Sequence, residues 1–321
     1  MMTVSSGYHK SLFFTVLAVL AMTVAGCAHK DLIMPEPNAP MGPPLTIEYI
    51  WDRQEQFRPE GMANLFFPVD ADNGRYWRFD CADIGSVTYL PIGCYNVISF
   101  NNDTEHVRFS ELEAFSTITL SAYPIDISDA SGEGLPVSGQ PIYSQPDRVW
   151  VATSDNLNVT GIGEETIKLY PRRVTREYHV EVTDIENMAS VASCYVALSD
   201  LAESYVPAED MTAGRAVTMI SQMSALDSST MWGTVVNFGL CNDVGQTRLS
   251  LYMWLADGTR KVYSFEVFEQ IMSAPDPMNV VIKVKGPSLP VVTPGGGDSG
   301  NGGGGGFDVG VDDWDNVDIE L

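Results

Sequence analysis

Five cysteines, four histidines and a large excess of carboxylates are the groups that could do chemistry in this 321-residue sequence. Cys27 closes the run Val24-Ala25-Gly26-Cys27, whose small residues would fit a narrow peptidase site just ahead of an acylatable thiol. Cys81, Cys94, Cys194 and Cys241 admit two readings. Pairing within each half would give Cys81–Cys94 and Cys194–Cys241, one of three connectivities for four cysteines; alternatively all four are buried thiols acting as small hydrophobes. Metal binding is not expected, since there is no CxxC and His29, His106 and His179 are far apart. The sequence has no GxSxG, HExxH, P-loop or helix-opening GxGxxG. No carboxylate spacing singles out an acid/base couple for glycoside cleavage. Asp70-Ala71-Asp72-Asn73-Gly74 looks like the start of a calcium loop, but its glycine falls one place early and no Glu stands at the required distance, so it reads as a turn. The expectation is a protein without catalytic residues, metal or cofactor.

Residues 1–26 contain no Asp or Glu and carry His9 and Lys10 ahead of an apolar run, Leu12 to Val24, broken only by Thr15 and Thr23. The run is the length of a signal-peptide core and short of the roughly 20 residues needed to cross a bilayer. With Cys27 behind it, the segment resembles the lipobox of bacterial lipoproteins. The resemblance implies cleavage before Cys27 and a diacylglycerol on its thiol, so the only bound group expected is covalent lipid. Each buried CH2 contributes about 0.8 kcal/mol, and two or three chains anchor a protein stably. Lys30-Asp31 weakly resembles signals that send lipoproteins to the outer face of the outer membrane, and equally suits ordinary tether charge. The expected location is the outer membrane, lipid-anchored, at the cell surface.

The formal net charge is −24. A chain this acidic will not bind nucleic acid through its phosphates, nor adhere electrostatically to anionic lipid. Removing residues 1–26 takes away one lysine and no acid, so the exported chain is no less acidic.

The elements beyond Cys27 are short and β-like. Five prolines in residues 28–44 make an extended tether. Leu45, Ile47, Tyr49 and Trp51 then share one face of an alternating strand. Met62–Val69, Tyr76–Phe79, Val87–Leu90, Tyr95–Phe100, Ser116–Tyr123 and Arg148–Ala152 continue the series, as do Thr166–Tyr170, Arg173–Val182, Ala192–Leu198, Thr234–Leu240, Leu249–Leu255, Lys261–Phe268 and Val280–Val284. Asp257-Gly258 marks a hairpin turn; residues 212–223 suit either a short helix or a strand. The pattern predicts an all-β chain of two tandem sandwiches, residues 45–170 and 171–285, divided near Pro171-Arg172. Residues 286–306 form a Gly/Pro-rich linker, and residues 307–321 an acidic tail or strand. Val317, Ile319 and Leu321 alternate with polar residues and could add to a sheet edge, the chain's own or a partner's. The six tryptophans are expected mostly in the core or on sheet faces, with a sugar-stacking platform as the alternative.

Leu90-Pro91-Ile92-Gly93-Cys94-Tyr95-Asn96-Val97 resembles the "L-P-x-G-x-Y-x-V" strand of transthyretin-like sandwiches. In the same frame lie Pro59-Glu60-Gly61-Met62, Arg78-Phe79-Asp80 and Pro146-Asp147-Arg148-Val149-Trp150. Over roughly residues 27–285 and the acidic tail, the chain resembles fimbrillin-like lipoproteins related to the anchor and accessory subunits of type V pili. The resemblance implies tandem transthyretin-like (Ig-like) sandwiches, a place at the cell surface or fimbria base, and fimbrial subunits as partners joined by strand addition. Polymerising members are cut after an Arg in the first domain; Arg172-Arg173 and Arg176 lie near the boundary, and nothing marks them as cleavage sites. An anchor or accessory subunit need not open its own groove. A glycan-binding surface lipoprotein is the alternative function.

Overall fold

The computed structural model describes residues 42–53, 57–70, 75–125, 139–242, 245–292 and 315–318. Cys27, residues 28–41 of the tether, the Asp72-Asn73-Gly74 turn, residues 293–306 of the linker, Trp314, Ile319 and Leu321 lie outside the described residues. Residues 286–292, expected to begin the linker, instead pack on the second half. Leu289 is buried in its core and the Gly286 N–H donates to the Thr183 carbonyl, because main-chain bonds to distant residues hold a Pro/Gly-rich segment that composition alone reads as loose.

The first half supplies β1 (Pro44–Tyr49), β2 (Gly61–Pro68), β3 (Trp77–Ala82), β4 (Ser86–Tyr89), β5 (Gly93–Asn101), β6 (Arg108–Ser110), β7 (Thr119–Ser121), β8 (Ile142–Tyr143), β9 (Trp150–Val159), β10 (Glu165–Leu169) and β11 (Arg172–Arg173). A three-stranded sheet runs β10-β1-β4, and a five-stranded sheet β11-β9-β5-β2-β3. Leu45 and Ile47 from one sheet meet Phe66, Tyr95 and Val97 from the other in a shared core. The five-stranded sheet is buried on its second face as well. Ala63, Leu65, Phe67, Ile98 and Phe100 point there into a core that also holds Ile118, Leu120, Tyr205 and Phe238. Double burial explains why β2 reads as a continuous apolar run, since alternate side chains enter different cores.

The second half supplies β12 (Arg176–Thr183), β13 (Val191–Val206), β14 (Met211–Gln222), β15 (Ser224–Ala225), β16 (Met231–Asn237), β17 (Arg248–Leu255), β18 (Arg260–Glu266), the short helix α1 (Phe268–Met272), β19 (Asn279–Lys285) and β20 (Asp315–Asp318). A four-stranded sheet runs β15-β16-β12-β19. An eight-stranded sheet runs β20-β18-β17-β13-β14-β8, with β7 and β6 added through β7–β13 pairing. Tyr178, Val180 and Val182 of β12 pack with Val196, Leu198, Val217, Leu251 and Ile282 in the largest core. The chain is thus all-β, built as sheets packed face to face.

Residues 212–223 resolve as strand, because β14 pairs with β13 over nearly its whole length. The single strand read over 173–182 is instead two. Val174 is buried in the core beneath the five-stranded sheet while Tyr178, Val180 and Val182 enter the next core, so the chain changes sheets between β11 and β12. β13 makes the reverse connection. Its first part pairs with β17, and after a register shift near Asp200 its end pairs with β7, placing Leu120 opposite Tyr205.

Candidate assembly surface

The alternation Leu45-Thr46-Ile47-Glu48-Tyr49 makes β1 a strand with one apolar face, and its neighbours decide where it lies. β10 pairs with it in parallel, with Ile47 opposite Ile167, and β4 pairs antiparallel, with Ile47 opposite Ser86. Both edges of β1 are therefore hydrogen-bonded, and Leu45 and Ile47 are 1% exposed. Gly85 allows the close approach: its φ is +89°, and a Cβ there would meet the Ile47 carbonyl oxygen at 2.0 Å. The Tyr49 hydroxyl ends in a buried polar cluster, donating to Asn64 Oδ1 at 2.8 Å and lying 3.2 Å from Ser99 Oγ and 3.3 Å from Cys81 Sγ. Burial, with the Cys81 contact second, pushes the Tyr49 hydroxyl far above the usual tyrosine range.

The C-terminal segment β20 lies parallel to β18, with Asn316 opposite Val262 and Val317 opposite Tyr263. It forms the outer strand of the eight-stranded sheet. Among the described residues, β3, β4, β6, β8, β10, β11, β15 and β19 also stand at sheet edges. The β4 edge is apolar, with Val87 57% and Tyr89 54% exposed.

The four described cysteines are free thiols. Of the two readings the paired one is not what forms, and strand register gives the reason; of the four thiols only Cys194 is fully buried. Cys81 faces Met62, which faces Asn101 at the opposite end of β5 from Cys94. Cys241 donates its N–H to the Asp200 carbonyl, about 20 Å along β13 from Cys194 at ~3.3 Å per residue. Both separations far exceed what a disulfide spans. The tryptophans are dispersed rather than gathered into a platform: Trp150 is buried, Trp51, Trp77 and Trp254 are half-buried, and Trp232 is exposed on β16.

Sequence reading missed an open cleft of about 980 Å³ where the two halves meet. The ends of β1 and β10 bring Trp51 and Tyr170 to it, and the turn before β19 brings Asp276 and Asn279. Its floor is a charged clamp. Glu177 Oε1 accepts from Arg148 Nε at 2.5 Å and from Arg173 Nη1 at 2.9 Å. Arg173 also donates to the Met278 carbonyl at 3.1 Å and to Asn279 Oδ1 at 2.6 Å. Asp276 accepts from Asn279 Nδ2 at 2.7 Å and the Met278 N–H at 2.8 Å, and these bonds hold its carboxyl below the usual range. The Arg173 contacts to Met278 and Asn279 span more than a hundred positions, so nothing local in sequence announces that the clamp and the turn before β19 meet. Among the described residues no group of three or more His, Cys, Asp or Glu could hold a metal ion, and no helix is long and apolar enough to cross a membrane.

Facing sheets around shared apolar cores define an all-β sandwich protein. The chain belongs to the family described as a domain of unknown function, DUF5119, whose model matches residues 26–222. It is 27% identical over 191 residues to a Bacteroides ovatus protein named "Putative fimbrium anchoring subunit Fim4B", covering 58% of this chain and 54% of that protein. The chain thus spans about half the length of the curated relative it matches. A solved structure of a "putative adhesin" from Bacteroides ovatus superimposes with a TM-score of 0.59 at 19% identity, over 83% of this chain and 99% of that one. A second, of "putative polysaccharide binding proteins" from Bacteroides thetaiotaomicron, gives 0.51 at 12% identity, over 76% and 90%. These two likenesses establish the shared fold. The family match and the named relative agree with the fimbrillin-like resemblance carried by the LPxGxY strand.

Proposed function

We propose that this chain is a non-enzymatic surface lipoprotein, held to the outer membrane by lipid on Cys27, that anchors or caps a fimbria-like assembly. The observation that carries the reading is β20, a terminal strand paired to a sheet edge through main-chain bonds and joined to β19 by a glycine-rich stretch of sequence. A strand held this way can be exchanged for, or given to, a neighbouring subunit, since main-chain pairing supplies affinity and alternate side chains such as Val317, Ile319 and Leu321 supply specificity. The embedded β1 supports an anchor over a polymerising subunit, because its groove is already filled by the chain's own strand. The relative named as a fimbrium anchoring subunit supports the same role. The tandem division near Pro171 belongs to this reading, with β7 and β8 crossing it to pair with β13 and β14.

Deletion of residues 307–321 tests the strand. Loss of complexes with co-expressed fimbrial subunits is expected, with the monomer still folded; undiminished assembly would refute strand donation. Cys27→Ser tests the anchor separately. The variant should leave the membrane fraction, and continued retention would show that something other than lipid holds the chain.

A further inference from the structure

We infer that the cleft bounded by Trp51, Tyr170 and the Asp276–Asn279 turn binds a short oligosaccharide. This activity goes beyond anchoring, which needs sheet edges and not a cleft. At about 980 Å³ the space lies at the upper end of the roughly 300–1,000 Å³ of ligand sites.

Its lining mixes aromatic rings with fixed polar groups. Phe57 is 58% and Tyr170 63% exposed, so neither ring is there to fill a core. Arg148 covers Phe57 at 4.6 Å, and Arg58 lies 5.7 Å from the Trp51 ring. The Tyr170 ring is the one left for the C–H face of a sugar. Arg173 and Asp276 are held by their hydrogen bonds to Glu177, Met278 and Asn279. Groups fixed in advance lose little freedom when they meet vicinal hydroxyls, which favours a ligand rich in them.

Charge and edges argue against other occupants. The arginines of the cleft are already in ion pairs, Arg148 and Arg173 with Glu177 and Arg172 with Asp210, so no unpaired arginine waits for an acidic chain end. β11 offers two residues of edge, and β10 and β19 reach the cleft only at their ends, beside Tyr170 and at Asn279, too little edge within it for a peptide to pair as a strand. An apolar ligand would forfeit the polar half of the lining.

The test is titration of the full-length chain, solubilised in detergent, with short neutral gluco-, galacto- and manno-oligosaccharides. At least one should bind with Kd on the order of 1 mM or tighter. Tyr170→Ala should weaken it at least about tenfold, ~1.4 kcal/mol, and Phe57→Ala in the same direction. Thermal midpoints should stay put because both rings are exposed, and Trp232→Ala, outside the cleft, should leave binding unchanged. Failure of every oligosaccharide to bind, or binding that survives the Phe57/Tyr170 double variant, would overturn the inference. Fimbrial co-assembly measured on the same variants should be unaffected, so failure here and failure of the anchor reading are separable.

Discussion

The carboxylate of Glu177 on β12 lies 2.9 Å from the Arg173 guanidinium on β11, with only 7% and 11% of those side chains exposed. The pair sits where the chain leaves the five-stranded sheet for the four-stranded one, and Arg148 of the first half shares the same oxygen. Removing one partner from a buried pair leaves uncompensated charge, which typically costs about 3–5 kcal/mol. Glu177→Gln should therefore destabilise the fold by about 3 kcal/mol in denaturant titration. Glu266→Gln is the control: Arg248–Glu266 is more than half exposed, and the change should cost less than about 1 kcal/mol.

Leu120 is fully buried beneath the five-stranded sheet and paired opposite Tyr205 of β13. Leu120→Ala should cost about 3 kcal/mol. Because the core it enters holds residues from both halves, the loss should lower both together. Hydrogen exchange is the readout: protection lost in β2 and β5 but unchanged in β13 would contradict the shared core.

Gly85→Ala places a Cβ against the Ile47 carbonyl at a backbone angle that L residues rarely adopt. Destabilisation of more than about 1 kcal/mol is expected. Since the clash falls on β1, limited proteolysis should show the segment 44–49 released first.

Alkali should weaken the fold through buried groups. Burial pushes the Cys194 thiol from 9.0 up to about 12. It pushes the Tyr178 and Tyr252 hydroxyls from 10.0 up to about 12, against the lowering effect of Arg176 and Ser250 respectively. Each folded-state value is raised, so the unfolded chain gives up these protons first. Their contribution is whole below pH 9 and is lost as the pH climbs from 9 towards 12. Thermal midpoints across that range should fall steadily. At pH 8, alkylation should spare Cys194 in the folded chain and reach it only on unfolding.

Strand positions were largely legible. Alternation in Leu45–Tyr49, the Asp257-Gly258 hairpin and the LPxGxY entry all match what forms, the last closed by the Tyr95 hydroxyl donating to the Pro91 carbonyl at 2.9 Å. Residues 212–223 were ambiguous because only β13, beside them in space, makes them a strand. The state of the cysteines stayed open between paired and free, because spacing along the chain carries no register.

By itself the sequence determined the all-β character, the turns and the apolar faces, and it supplied the expectation of an export segment over residues 1–26, ahead of Cys27. These follow from properties local to a few residues: side-chain alternation, glycine and proline geometry, hydropathy. Tertiary structure alone decided which edges are filled, which cores share a sheet, that the thiols stay apart and that Trp51, Tyr170 and Asp276 meet around one cleft. Those depend on pairing between segments distant in sequence, and a strand's own residues specify its faces but not its neighbour.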